Sequence, residues 1–225
     1  MAKRAAEFSV AIEDYAKAIF ALQADAGGPA STTAVAERLG VTPASASGML
    51  RRLDEHGLVA HRRYHGVELT ADGRRVALRV LRHHRLLETY LARSLGVPWD
   101  RVHEEAEVLE HVLSDQLEAL IDSQLGHPTH DPHGDPIPSA ELVLEERPCR
   151  CLASLEAGES GVLARVSDAE PEILRYLAAR GIAPGARFEV LERQPFDGPL
   201  FVRFGDAVHV LGGELARAIS VELQA

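Results

Sequence analysis

At 225 residues, with 46 % hydrophobic and 26 % charged side chains, the chain has the length and composition of a water-soluble protein of two domains or more. It contains no run of 18 apolar residues, which excludes a transmembrane helix. Met1-Ala2-Lys3-Arg4 leads into no apolar stretch, so no secretory signal and no membrane partner are expected and the cytoplasm is the default compartment. Cys149 and Cys151 are too few for a disulfide framework. The net charge of −10 argues against a polyanion as ligand, but its distribution argues for one: from Arg38 to Arg85 there are ten Arg against four Asp/Glu, a local net of +6.

In chain order, residues 7–24 carry Val10, Ile12, Ala16, Ile19, Phe20 and Leu22 at helical spacing, and Gly27-Gly28-Pro29 ends that helix. Ser31 or Thr32 caps a short helix reaching Leu39, with Gly40 behind it. Thr42 caps the next, with Pro43 in its first turn, and this helix runs to Gly57. Two strand-like pieces, 58–63 and 67–70, follow. Thr70 opens a long helix to about Tyr90, and Val97-Pro98-Trp99-Asp100 makes a turn. A second long helix is predicted from about Arg101 to Leu125. Residues 126–148 hold five prolines and three histidines and read as a linker with some local order. Beyond 150 the pattern changes to short strands at 161–167, 187–192, 200–204, 207–211 and 218–222, with a helix at 170–179, as in a small β-barrel. The expected domains are therefore 1–73, 74–126, a linker 127–149, and 150–225.

Helix, short turn, helix and hairpin in immediate succession make a winged helix-turn-helix, which lays its second helix in the DNA major groove while the wing touches the backbone. The small and hydroxylated face Thr42, Ala44, Ser45, Ser47 and Gly48 allows close approach to bases and phosphates. Arg51 and Arg52 on the helix, and Arg62, Arg63 and Tyr64 on the wing, supply charge and contact. Winged helices also serve as protein-interaction modules, but here the charge concentrates where DNA binding needs it.

His103, Glu107, Glu110 and His111 fall on one side of the second long helix, beside the apolar stripe Val102, Ala106, Leu109, Leu113, Leu117 and Leu120. Carboxylates and imidazoles bordering a buried face invite a divalent cation. His84 and Glu88 repeat the i, i+4 pattern on the preceding helix, although such pairs also occur as ordinary surface pairs. The stripe is too broad for one small domain to cover, which predicts a homodimer.

The segments Glu13-Asp14-Tyr15, Val67-Glu68-Leu69-Thr70, His84-Arg85-Leu86-Leu87-Glu88, Gly96-Val97-Pro98-Trp99, Val102-His103-Glu104-Glu105-Ala106, Glu110-His111-Val112-Leu113-Ser114 and the stretch Pro128 to Pro138 occur in this order. Together they resemble the diphtheria-toxin-repressor family of metal-dependent transcriptional repressors, in its long form with a C-terminal SH3-like (FeoA-like) domain. The resemblance implies a mainly α protein with a separate small β domain: an N-terminal winged helix that binds double-stranded operator DNA, a helical metal-binding and dimerisation domain, and the barrel. It implies a homodimer on a palindromic operator, with two dimers per operator as a further expectation, and two ions of Mn2+ or Fe2+ per subunit. Carried residue by residue, it places the primary site at Asp14, Glu107, Glu110 and His111. The other site uses His84, Glu88 and His103, with ligands from the barrel.

Iron-responsive members of the family carry sulfur ligands where Asp14 and Glu107 stand. Hard oxygen donors suit Mn2+, so manganese is expected, with iron as the alternative. Two positions depart from the pattern. Lys17 stands where short manganese regulators carry an acid. Arg165 stands near the barrel position that gives a Glu, and Asp168 is the expected substitute. Longer manganese members place ligands at positions matching Asp131 and His133, which also have the character of turn residues in a Pro-rich segment. A metal-dependent hydrolase is the competing class, but no nucleophile elbow, His-Glu-x-x-His helix or phosphate loop supports it.

Overall fold

A computed structural model of the chain describes residues 8–62, 66–196 and 198–224. These fall into two compact units. The first comprises residues up to 83 with 110–113 and 138–144; the second comprises 84–109, 114–137 and 145 onward.

In the first unit α1 (Val10–Ala26) buries Ile12, Tyr15 and Ile19 against α2 (Thr32–Arg38) and α3 (Pro43–Glu55), where Val35, Ala46, Leu50 and Leu53 complete the core with Leu58 and Val67. The caps are those the sequence predicts. The Ser31 hydroxyl accepts from the Ala34 amide at 3.1 Å and the Thr42 hydroxyl from the Ser45 amide at 3.2 Å. Gly40, at φ +62°, makes the left-handed turn between α2 and α3 that a β-carbon would strain. The wing is β1 (Val59–Arg62) paired antiparallel with β2 (Gly66–Leu69). A second small core joins Ala16 and Phe20 of α1 to Ala77 and Leu78 of α4 (Ala71–Leu95), with Leu142 and Leu144 against it.

One predicted element is corrected. The single helix expected over 101–125 is two, α5 (Val102–Leu109) and α6 (Asp115–Gln124). Ser114 has extended backbone and its hydroxyl caps α6 by accepting from the Leu117 amide at 3.3 Å. Between the helices Glu110 and Leu113 are buried. The expected apolar stripe is therefore split: Val102, Ala106 and Leu113 are buried, while Leu109, Leu117 and Leu120 are exposed. α4 also runs five residues past Tyr90.

The second unit contains a six-stranded antiparallel sheet in the order β3-β8-β4-β5-β6-β7: β3 (Arg150–Cys151), β4 (Ser160–Val166), β5 (Arg187–Arg193), β6 (Leu200–Phe204), β7 (Ala207–Leu211) and β8 (Ile219–Leu223). With α7 (Pro171–Ala178) and the short α8 (Gly213–Arg217) it encloses Leu163, Val166, Leu174, Leu177, Phe188, Val190, Val202 and Val221, the small β domain that the strand pattern predicts and that the family resemblance implies to be SH3-like. Alternate strand residues point inward, as in β6, where Leu200, Val202 and Phe204 are buried. Trp99 packs against this core.

The loop 130–136 is built onto the sheet. The Val166 amide donates to the His133 carbonyl at 2.9 Å. β4 bulges between Leu163 and Arg165, and a β-carbon at Gly134 (φ +91°) would collide with the Ala164 carbonyl there, so only glycine fits. Among the described residues no helix is long and apolar enough to cross a membrane.

Candidate metal centres and nucleic-acid interface

α3 turns Ala46, Leu50 and Leu53 to the core and leaves Thr42, Ala44, Ser45, Ser47, Arg51 and Arg52 exposed, with Gly48 half-buried. The face selected from sequence is thus the free face of the second helix of the motif. A β-carbon at Gly48 would meet nothing within 4 Å, so the helix surface there is open. Arg62 closes the described part of β1 opposite Gly66. Arg63 and Tyr64 lie outside the described residues.

The first ligand cluster lies in the first unit. Asp14 comes from α1, and Glu110 and His111 from the turn after α5; their ligand atoms lie within 4.8 Å of one another. His111 Nε2 is 2.9 Å from Asp14 Oδ1 and 3.4 Å from Glu110 Oε1. The other ring nitrogen, Nδ1, is 2.6 Å from Glu13 Oε2. With Nδ1–H donated to Glu13, the Nε2 lone pair points at two carboxylate oxygens, an arrangement that a cation between them satisfies. Glu110 is fully buried, and Lys17 Nζ sits 2.9 and 2.8 Å from its two oxygens. The His83 ring meets the Glu110 carbonyl at 3.0 Å.

The second cluster lies in the second unit and centres on Glu88, which is 1 % exposed. Its Oε1 is 3.1 Å from His84 Nε2 and 3.4 Å from His103 Nδ1; its Oε2 is 3.8 Å from His133 Nδ1. Asp168 Oδ2 lies 3.0 Å from His103 Nδ1. Arg165 turns to Asp135 at 3.4 Å. Two ligand sets share Glu88: His84, Glu88 and His103, and Glu88, Asp131 and His133. His133 is fully buried. Its Nε2–H donates to the Trp99 carbonyl at 2.7 Å, and its Nδ1 has no hydrogen-bond partner among the described residues. A buried, unpartnered imidazole nitrogen beside two carboxylates fits a metal ion. Asp131 also does a turn residue's work, its Oδ1 accepting from the His133 and Asp135 amides at 2.9 Å each.

Electrostatics in this cluster follow from burial and close pairing. Burial opposes ionisation of Glu88, but His103, His133 and His84 outweigh it and hold the carboxyl far below the usual range. His103 is pushed up to about 10 by Asp168, then Glu88. His133, which burial would lower, is raised to about 9 by Glu88, Asp131 and the Trp99 carbonyl. Burial, with Glu88 and Asp135 nearby, lifts Asp131 well above its ordinary value, against Arg85 and His133.

Glu107 is carried by α5, which ends at Leu109. Its Oε1 lies 3.8 Å from His84 Nδ1 and 3.7 Å from His103 Nε2, among the residues of the second cluster. Glu13 carries no role in the sequence pattern, and Lys17 stands there only as a departure from the family. Glu13, Asp14 and Lys17 stand at i, i+1 and i+4 on α1, a signal that these side chains serve one site.

The family model for the iron-dependent repressor N-terminal DNA-binding domain matches residues 7–67. That for the iron-dependent repressor metal-binding and dimerisation domain matches 70–139, and the FeoA domain matches 150–223. The iron-dependent repressor IdeR of Mycobacterium tuberculosis is 32 % identical over 222 residues, covering 93 % of this chain and 96 % of that protein. The diphtheria toxin repressor of Corynebacterium efficiens is 29 % identical, covering 93 % and 94 %. Among solved structures, a manganese-dependent transcriptional repressor in complex with manganese superposes with a TM-score of 0.86 at 45 % identity, over 95 % of this chain and 100 % of that one. The manganese regulator SloR gives 0.76 at 30 %, over 95 % and 98 %. Three family models in succession and relatives matched over more than nine-tenths of both chains show that the chain belongs to the diphtheria-toxin-repressor family of metal-dependent transcriptional repressors, DNA-binding proteins and not enzymes.

Proposed function

We propose that the protein is a manganese-activated repressor that acts in the cytoplasm, binding a palindromic operator as a homodimer to control genes of metal homeostasis. The observation that carries the metal assignment is the donor set of the first cluster: two carboxylates and one imidazole, with no sulfur. Oxygen-rich sites of this kind favour Mn2+ over more thiophilic ions. Iron-dependent repressors at 32 % identity keep Fe2+ as the second reading.

Two ions per subunit are assigned. Asp14, Glu110 and His111 hold the first, with Glu13 orienting the imidazole. Glu88, shared by the set with His84 and His103 and the set with Asp131 and His133, is the centre of the second, with Asp168 and Glu107 facing His103. When bound, the ions supply positive charge that joins carboxylates from distant parts of the chain; at the first cluster they tie α1 to the 110–111 turn. α1 packs on α2 and α3, so its placement bears on the reading head. A metal that binds the DNA-competent arrangement better than its alternatives shifts the population toward it. The wing and α3 then contact DNA through Thr42, Ala44, Ser45, Ser47, Gly48, Arg51, Arg52, Arg62, Arg63 and Tyr64. Exposed Val108, Leu109, Leu117 and Leu120 supply an apolar surface for the dimer, within the segment matched by the dimerisation model. Two dimers on one operator would double the contacted phosphates.

The test is a titration of operator affinity with Mn2+, Fe2+, Co2+ and Zn2+ under anaerobic conditions. Activation by Mn2+ at the lowest free concentration relative to its cellular availability supports the proposal. Activation by Fe2+ alone would replace it with the iron reading.

A further inference from the structure

We propose that Lys17 is an internal competitor for the metal. Its ammonium and a divalent cation contend for the same Glu110 carboxylate, so Lys17 sets the metal concentration at which the first cluster fills. The inference rests on the assignment of Asp14, Glu110 and His111 as ligands, and goes beyond it by giving a role to a residue that is not a ligand.

Three observations carry it. Lys17 Nζ is within hydrogen-bond distance of both Glu110 oxygens, at 2.9 and 2.8 Å. The Glu110 side chain is fully buried, so its charge is held by neighbours and not by water. And Oε1, one of the two oxygens Lys17 occupies, is the oxygen that faces His111 Nε2 at 3.4 Å. An ion held by Asp14, Glu110 and His111 needs that oxygen's lone pairs. An ammonium and a divalent cation drawn to one buried carboxylate repel each other. Binding is therefore an exchange of cations and not the filling of a bare anionic pocket.

Lys17 has somewhere to go. Its side chain is 19 % exposed, and a four-carbon stem can carry the ammonium into solvent while its methylenes stay packed. The same turn of α1 thus provides a ligand in Asp14, an orienting carboxylate in Glu13 and the competitor in Lys17. A merely structural ion pair would leave metal affinity untouched or support it. A competitor lowers it, in proportion to its hold on Glu110.

The experiment uses full-length protein, Mn2+ alone and a fluorescent chelator as reference, and follows the binding step that His111→Ala removes. Lys17→Met keeps the stem and deletes the charge; it should tighten that step by about tenfold or more. It should also lower the melting temperature of the metal-free protein and enlarge the rise on adding Mn2+, because Glu110 then depends on the ion. Lys17→Arg keeps the charge and offers a planar fork that grips a carboxylate by two bonds; it should weaken the same step. If Lys17→Met fails to fold without metal, the Arg variant decides alone. A His111-dependent step with wild-type affinity in the variants that fold, or a step that Lys17→Met weakens, overturns the competitor while leaving the ligand assignment standing. If His111→Ala removes no step at all, the ligand assignment itself fails.

Discussion

The two ligand clusters hold their buried carboxylates in different ways. In the first, the cation that faces Glu110 is a lysine from α1. In the second no lysine or arginine pairs with Glu88 among the described residues; three imidazoles surround it, and Asp168, Glu88 and Asp131 raise His103 and His133 above their ordinary values. On the proposed assignment, filling the first cluster would exchange one fixed cation for another, and filling the second would release protons. Two sites assigned to the same ion are therefore expected to respond to different variables, one to a side chain and the other to pH.

The largest expected effect breaks the first cluster outright. His111→Ala removes an imidazole that meets Asp14, Glu110 and Glu13, and should abolish metal-dependent operator binding while sedimentation still shows a folded dimer. Operator binding with the wild-type manganese dependence would show that the first cluster is not the switch.

Glu88→Gln attacks the second cluster at its shared residue. It leaves His103, His133 and His84 around a neutral amide. It should destabilise the metal-free protein by about 3 kcal/mol, as breaking buried ion pairs does, and remove one Mn2+ from the stoichiometry measured by calorimetry. Unchanged stability and stoichiometry would take Glu88 out of the centre of the site.

The contrast in pH response can be measured directly. His103 and His133 have folded values near 10 and near 9, above an ordinary value of 6.5. Groups raised on folding contribute stability that is complete below the unfolded value and is lost as pH rises through the folded one. The melting temperature of the metal-free protein should fall between pH 7.5 and pH 10, and Mn2+ affinity of the second cluster should rise over the same interval. In Glu88→Gln the fall of the melting temperature with pH should shrink, since the carboxylate that raises both imidazoles is gone; an undiminished fall would place the protons elsewhere.

Smaller effects sharpen the picture. Glu13→Gln touches only the orientation of His111 and should weaken metal binding at the first cluster by about tenfold, with no change in stoichiometry. An unchanged affinity in a competition titration would show that Glu13 does not orient the ring. Arg51→Ala should leave both metal sites alone and reduce the slope of log DNA affinity against log salt by about one per contact and subunit; an unchanged slope would move the interface off this face of α3.

How much of this the sequence displays depends on the range of the interaction. Thr42 before Pro43, the glycine after α2 and the alternation of Leu200–Phe204 are local signals, and the elements they predict are where they were expected. The break at 110–114 was missed because apolar spacing runs through it, while the Ser114 cap competes locally and wins. β3 and α8 are too short to leave a periodic trace. His103 and Asp168 were paired from the family pattern, since 65 positions of chain separate them and no spacing rule spans that distance. The meeting of Lys17 with Glu110, 93 positions apart, is likewise a product of packing alone.

The stitching of the 130–136 loop to β4 has a consequence for how the molecule unfolds. His133 is held by the Val166 amide, and Gly134 lies under the bulge at Ala164. The loop therefore cannot open without disturbing a central strand of the β domain, and the two should form one cooperative unit in hydrogen exchange. An ion that stabilises the loop through His133 would then slow amide exchange in β4 and in its neighbour β8. The barrel would serve as a reporter of metal occupancy, even with DNA absent.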